Sequence, residues 1–418
     1  MINKKVSIIG LGYIGLPTAA TIASKKIKVI GVDIDIEIIN SINNGKSHFH
    51  EKGLSTILKK SVNDNYLTAS LEVEPSDIFL ITVPTPFKKN NSNIPEPDVS
   101  YIKEAARNIA PHLAKNNLII LESTAPVGTT KMLSDLLASI RKDLTFPNTR
   151  QTPVDIHIAY CPERVMPGDM LYELKNNDRV IGGLNTESAR HAKDFYEIFV
   201  KGKCYITNAE TAEMTKLTEN AFRDVQVAFA NELSMICENH NINTLDLIEL
   251  ANKHPRVNIL EPGAGVGGHC IAVDPWFIVY KDQDISRIIS TARKVNNAKP
   301  KWIIKKIEEQ INANNSEDLN IYFYGITFKP NIDDLRESPA LDIVKYFHSL
   351  EKNINVIEPN LNKNKILQNL QNANIMDLSE SVHNKGIHVF LVKHDVFKKI
   401  KFSNSKETLI LDFCGVVR

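Results

Sequence analysis

Cys270 stands in the run Glu261-Pro-Gly-Ala-Gly-Val-Gly-Gly-His-Cys-Ile-Ala-Val-Asp-Pro-Trp276, where glycines strip side-chain bulk from the chain just ahead of a thiol. Gly263, Gly265, Gly267 and Gly268 allow backbone angles closed to other residues and let a ligand press against the main chain. A cysteine becomes a nucleophile only as its thiolate, and a loop leading into a helix N-terminus, with His269 and Asp274 close by, is a setting that tunes a thiol pKa. The competing reading is a glycine-rich turn around an inert cysteine; the rest of the chain weighs against it. Lys216 and Asn220, four residues apart with Arg223 and Asp224 continuing the row, set a cation and an amide on one face of an expected helix. That pair suits an oxygen that gains negative charge, although a solvated face of helical ion pairs would look the same. Arg256, Lys329 and Arg336 could fork onto or neutralise a phosphate, or be surface cations.

These residues need elements to hold them. Val6-Ser-Ile-Ile9 reads as a buried parallel strand, and Gly10-Leu-Gly-Tyr-Ile-Gly15 follows at once, opening a helical pattern from Leu16 to Ala23. A second strand, Lys28 to Val32, ends in Asp33, where an acid can accept from both ribose hydroxyls of an adenosine. Strand, G-x-G-x-x-G, helix and acid in that order predict a dinucleotide site, and Asp33 would repel a 2′-phosphate, favouring NAD over NADP. Strands at 77–82 and 118–121 lead into loops that carry Thr85 and Thr124, candidates for touching cofactor or a water, or for plain turn chemistry. A strand at 156–160 points Glu163 and Arg164 from its end. From Thr211 to Asn239 there is no Gly or Pro, and Met214, Leu217, Ala221, Val225, Ala228, Phe229, Leu233 and Ile236 recur with the period of a long amphipathic helix. Past Lys299-Pro300 and the polar segment 312–318, strands near 320–325, 355–357, 387–392 and 408–412 predict a second parallel sheet with its own ligand edge.

Composition narrows the field. Fifty Lys+Arg against 49 Asp+Glu leave a formal charge of +1 in 418 residues, so no electrostatic pull toward nucleic acid or an anionic membrane is visible. The first 23 residues superficially mimic a secretory leader, but Gly10, Gly12, Gly15 and Pro17 interrupt the apolar run, and no other stretch approaches the roughly 18 residues of a membrane span. Five scattered cysteines, Cys161, Cys204, Cys237, Cys270 and Cys414, fit neither a disulfide framework nor a metal site, and the cytoplasm is the expected location.

With these residues in place, the chain resembles the nucleotide-sugar 6-dehydrogenase family, relatives of UDP-glucose dehydrogenase, over almost its whole length. Glucose-specific members carry a G-G-S-C-F-P-K-D cysteine loop, whereas Gly267-Gly-His-Cys-Ile-Ala-Val-Asp274 has the form typical of members acting on N-acetylhexosamine nucleotides. The stretches Asn220 to Leu233, His254 to Leu260 and Ala272 to Ile278 are most similar to members acting on UDP-N-acetyl-D-mannosamine in surface-polysaccharide pathways. Ala264 replaces a proline usual in the loop, which should loosen the turn slightly.

The resemblance implies an α/β fold: an N-terminal Rossmann NAD-binding domain (1–205), a central long-helix dimerisation domain (206–310) and a C-terminal Rossmann-like UDP-binding domain (311–418). It implies an NAD-dependent four-electron oxidation of the sugar C6 hydroxyl, with Cys270 as nucleophile, Lys216 exchanging protons, Asn220 steadying an oxyanion, Asp274 orienting water, and Thr124 and Glu163 assisting. NAD contacts would come from Gly10, Gly12, Tyr13, Ile14, Gly15, Asp33, Thr85 and Thr124, and from Arg336 across a homodimer interface. Substrate contacts would come from Arg164, Val165, Lys216, Asn220, Arg223, His254, Arg256, Gly267, Phe328, Lys329 and Arg418, with no metal. UDP-N-acetyl-D-glucosamine as substrate, or a nucleotide-binding relative without turnover, are the alternatives.

Overall fold

The computed structural model describes residues 4–88, 94–147, 153–165, 168–268, 270–313, 320–400, 402 and 408–417. His269 and Arg418, both singled out above, lie outside the described residues. The chain divides into two compact units, Met1–Thr218 and Glu219–Arg418.

In the first unit, runs such as Ile78-Phe-Leu-Ile81 are apolar at every position, so they can be buried only in a sheet covered on both faces. The strands are β1 (Lys5–Ile9), β2 (Lys28–Val32), β3 (Leu67–Ser70), β4 (Ile78–Ile81), β5 (Asn117–Leu121), β6 (Ile156–Tyr160), β7 (Arg179–Gly183) and β8 (Cys204–Asn208). They form one sheet in the order β3-β2-β1-β4-β5-β6-β7-β8. The first six are the parallel 3-2-1-4-5-6 arrangement of a dinucleotide fold, whose strand order reverses between β1 and β4. Alternate residues serve opposite cores: Val6, Ile8, Ile78, Leu80, Leu118 and Ile120 pack in one cluster, and Ile9, Phe79, Ile81, Ile119 and Leu121 in the other. Beyond β6 the direction changes, because β7 pairs antiparallel with it through Ala159 and Gly183. The second unit holds β9 (Ile321–Tyr324), β10 (Ile354–Ile357), β11 (Asn374–Ile375), β12 (Gly386–Phe390) and β13 (Thr408–Asp412). This sheet is all parallel in the order β11-β10-β9-β12-β13; two-residue β11 is too short to leave a pattern in the sequence.

The expected long helix is Ala209–Asn239, 31 residues and so roughly 46 Å along its axis. It begins in one unit and ends in the other, and the boundaries expected at 205/206 and 310/311 fall inside β8 and in the last turn of helix Arg287–Ala313. Its apolar residues do not make one buried stripe. Leu217, Ala221 and Ala228 are buried, whereas Met214, Phe229 and Ile236 are exposed together with Phe222. Polar residues do the holding instead. Arg293 on helix Arg287–Ala313 donates to the Asp224 carboxylate at 2.6 Å, and Asn296 donates to the same oxygen at 2.8 Å. Asn231 donates to Asn296 at 2.9 Å, so two long helices are bonded by buried, mutually paired groups.

Candidate active site

The dinucleotide loop shows what each glycine is for. Gly10 sits at φ +96°, and a Cβ there would lie 2.9 Å from the Thr82 carbonyl oxygen; one on Gly15 would lie 1.9 Å from the Gly10 oxygen. A Cβ on Gly12 would meet nothing within 4 Å, which leaves that side of its backbone open to a close ligand, as a pyrophosphate requires. Asp33, at the end of β2, accepts from the Leu11 N–H at 2.8 Å and the Asp35 N–H at 3.1 Å. A carboxylate has about four acceptor positions, so capacity remains for ribose hydroxyls. Exposed Tyr13 stacks on Phe49 with 4.4 Å between ring centroids, and Ile14 is half-buried beside it. Phe49 and the adjacent His48, whose pKa is lowered by burial against the pull of Asp33 and Asp35, carried no motif signal in the sequence. Thr85 is buried and donates to the Thr124 carbonyl at 2.7 Å, tying the loop after β4 to the loop after β5.

Glu163 does not project freely from its strand. It is buried, its carboxylate paired with Arg179 at 3.0 Å and accepting from the Arg164 N–H at 2.6 Å. Arg179 also lies over the Tyr196 ring, and the Tyr196 hydroxyl donates to Glu122. Burial, with the Glu163 charge adding to it, pushes the Glu122 carboxyl up to about 7. Arg179, Tyr196 and Glu122 are unremarkable as sequence, because what links them to Glu163 is contact between separate strand and helix ends. Arg164 donates to the Asp178 carbonyl at 3.2 Å, and Val165 packs at the margin of the core.

In the second unit the cysteine loop is clamped along its length. Gly263 donates to Asn231 at 2.9 Å and Gly268 to the Arg336 carbonyl at 3.0 Å. A Cβ on Gly267 would lie 2.3 Å from the Glu337 oxygen and 2.7 Å from Phe328 Cβ, so this glycine is a packing requirement against the turn after β9. Cys270 is exposed, and its carbonyl accepts from the N–H groups of Val273 at 3.1 Å and Asp274 at 2.9 Å, closing a turn that opens helix Asp274–Lys281. Asn220 and Asp274 are both buried, and the Asn220 amide donates to the Asp274 carboxylate at 2.5 Å. The structure therefore brings Asn220, Asp274, Gly267, Phe328 and Arg336 onto or beside the loop that carries Cys270. Arg336 forks onto Asp334 of its own chain at 2.9 and 2.6 Å. Lys216, one turn before Asn220 on the helix, is buried without a hydrogen-bond or ion-pair partner among the described residues. Arg223, His254, Arg256 and Lys329 are exposed, and the Arg256 N–H donates to His254.

A sheet in the 3-2-1-4-5-6 order, an open Gly12 and an acid at the end of β2 define an NAD-binding oxidoreductase, joined here to a second parallel sheet and a reachable thiol. The comparisons are more specific. The UDP-glucose/GDP-mannose dehydrogenase family matches in three parts: its NAD binding domain at residues 4–200, its central domain at 210–298 and its UDP binding domain at 322–418. The chain belongs to this family and is an NAD-dependent dehydrogenase. It is 51% identical to the UDP-N-acetyl-D-mannosamine dehydrogenase of Campylobacter jejuni over 98% of this chain and 99% of the relative. It is 48% identical to the Escherichia coli K12 protein of the same name, over 99% of each. Among solved structures, the UDP-D-ManNAc dehydrogenase from Pyrococcus horikoshii matches with a TM-score of 0.86 at 34% identity, covering 99% of this chain and 96% of that one.

Proposed function

We propose that the chain oxidises the C6 hydroxyl of UDP-N-acetyl-D-mannosamine to the carboxylate of UDP-N-acetyl-D-mannosaminuronate, consuming two NAD and supplying surface polysaccharide synthesis. The observation that carries this reading is the exposed Cys270 on a loop clamped beside Asn220 and Asp274. Oxidation of an alcohol to an aldehyde needs no thiol. Carrying the aldehyde on to an acid does, because a thiohemiacetal again has a carbon with a hydrogen to surrender.

Gly10, Gly12, Tyr13, Ile14, Gly15 and Asp33, with Thr85 and Thr124 nearby, would hold NAD, which would supply the hydride acceptor for each of the two oxidations. Lys216 exchanges the proton of the C6 oxygen. The Cys270 thiolate adds to the aldehyde carbon, and the second N–H of Asn220, left over from its bond to Asp274, steadies the oxyanion, a donor worth on the order of 3 kcal/mol. Asp274 orients the water that cleaves the resulting thioester and returns the thiolate, with Thr124 and Glu163 assisting. Arg164, Val165, Arg223, His254, Arg256, Gly267, Phe328 and Lys329 supply the substrate contacts, and Arg336 reaches the NAD of a second copy. That second copy makes a homodimer on the exposed apolar face of helix Ala209–Asn239, in the cytoplasm; no described helix is long and apolar enough to cross a membrane.

The substrate is tested with purified UDP-N-acetyl-D-mannosamine, -glucosamine and -galactosamine side by side. The galacto sugar belongs in the panel because the NDP-N-acetyl-D-galactosaminuronic acid dehydrogenase of Ralstonia nicotianae is 47% identical over 99% of this chain. NADH release with the manno sugar at the highest kcat/KM is expected. Preference for another epimer overturns the substrate assignment, and NAD binding with no NADH from any of them overturns the enzyme reading.

A further inference from the structure

His157, Glu187 and His191 bring three potential ligand atoms within 4.8 Å of one another in the first unit. The chain reversal at β7 creates the meeting. Because β7 runs antiparallel to β6, the chain leaving it emerges beside the start of β6, where the Leu184 N–H donates to the Ile158 carbonyl at 3.1 Å. Helix Thr186–Tyr196 starts there, capped by Asn185, and Ser188 of its first turn accepts from the Ile158 N–H at 3.1 Å. Glu187 and His191 are four apart on that helix and share a face toward His157. The two imidazoles stack at 4.0 Å between centroids. His157 is only 3% exposed, and its Nδ1 is buried with no hydrogen-bond partner among the described residues. A buried polar atom without a partner is costly, a penalty that an ion bound to this nitrogen would relieve. Burial, aided by His191 and Lys4 and opposed by Glu187, lowers the His157 pKa.

We infer that His157, Glu187 and His191 form a site for a borderline divalent cation of the zinc or nickel kind, separate from the reaction machinery. Two imidazoles and one carboxylate are the donor set of open zinc sites, with the remaining positions taken by water. Bonds of about 2.0–2.2 Å in a tetrahedron put donors roughly 3.4 Å apart, so the cluster must contract when an ion enters. Exposed Glu187 and half-buried His191 have the freedom to move, while His157 is fixed in the sheet. His157 lies near the start of β6, whereas the dinucleotide loop follows the carboxyl end of β1; the two strands run the same way, so the ion sits at the opposite edge of the sheet. Its effect is to pin helix Thr186–Tyr196 to β6. Lys4 and the positive end of that helix oppose the ion, holding affinity below that of a closed four-ligand site.

The test is calorimetric titration of the full chain with zinc chloride, comparing the parent with Glu187→Gln, His191→Ala and Cys270→Ser. One zinc per chain is expected, retained in Cys270→Ser, with affinity falling more than about tenfold in the other two variants, since even outer-shell partners are worth that much. The parent's melting temperature should rise with zinc and that of His191→Ala should not. No uptake by the parent, undiminished uptake in Glu187→Gln and His191→Ala, or loss of uptake in Cys270→Ser would each overturn the site.

Discussion

A thiol does covalent chemistry only where it can ionise and be reached, and the cysteines of this chain divide sharply on that test. Cys161, Cys204, Cys237 and Cys414 are buried; burial pushes the Cys161 thiol up to about 12 and raises Cys204 and Cys414 as well. Cys270 alone is exposed, at the opening of a helix. The acids beneath the first unit's loops follow the same logic of burial. Glu163 has Arg179 as its counter-charge, while Glu122 has one oxygen on Tyr196 and the other without a partner among the described residues. The Glu122 carboxyl is raised from 4.5 to about 7, so the folded protein keeps a proton that the unfolded chain has lost. Stability from this group is therefore full at pH values below the ordinary glutamate range and is lost as pH rises through about 7. Replacing Glu122 with Gln removes that dependence. Urea unfolding at about pH 5 and about pH 8 should show the parent losing more stability than Glu122→Gln across the interval, by on the order of 2 kcal/mol. Equal losses in the two proteins would contradict a proton held there. None of this was legible in the sequence, because Glu122, Glu163, Arg179 and Tyr196 meet only after several strands have paired.

At the scale of elements, local periodicity carried far. β1, the glycine loop and the acid after β2 follow one another within a few dozen residues, so spacing alone placed Gly10, Gly12, Gly15 and Asp33. The pair Asn220 and Asp274 was visible as residue types only; their hydrogen bond spans 54 positions. The long helix was legible as a helix but not as to its surroundings. Its apolar residues share one helical period, but tertiary packing divides them: small Ala221 and Ala228 go inward, while Phe222, Phe229 and Ile236, each seven apart, form an exposed row. Phe222 is 61% exposed and Phe229 54%, a large apolar surface to leave to water, and aromatic side chains of this kind dominate interface energetics. A second copy of the same helix would cover it. If the proposed homodimer forms on this face, Phe222→Glu with Phe229→Glu should convert it to monomers in analytical ultracentrifugation while leaving helical circular dichroism unchanged. A double variant that stays dimeric would remove this helix from the interface.

For the whole molecule, two parallel sheets and an uncharged balance of acids and bases give a chain built to hold two nucleotides, one per sheet, in keeping with the family's NAD and UDP binding domains. What the second sheet adds to a simple dehydrogenase is a rigid backing for the cysteine loop, through Gly267 against Glu337 and Phe328, and through Gly268 on Arg336. That arrangement fits the proposal that the thiol works on a substrate held beside it through more than one turnover of cofactor. The most direct measurement is the ratio of NADH formed to UDP-hexosaminuronate formed, in the parent and in Cys270→Ser. Two NADH per carboxylate are expected from the parent and almost no carboxylate from the serine variant. A ratio of one, or carboxylate from Cys270→Ser near the parental rate, would contradict it.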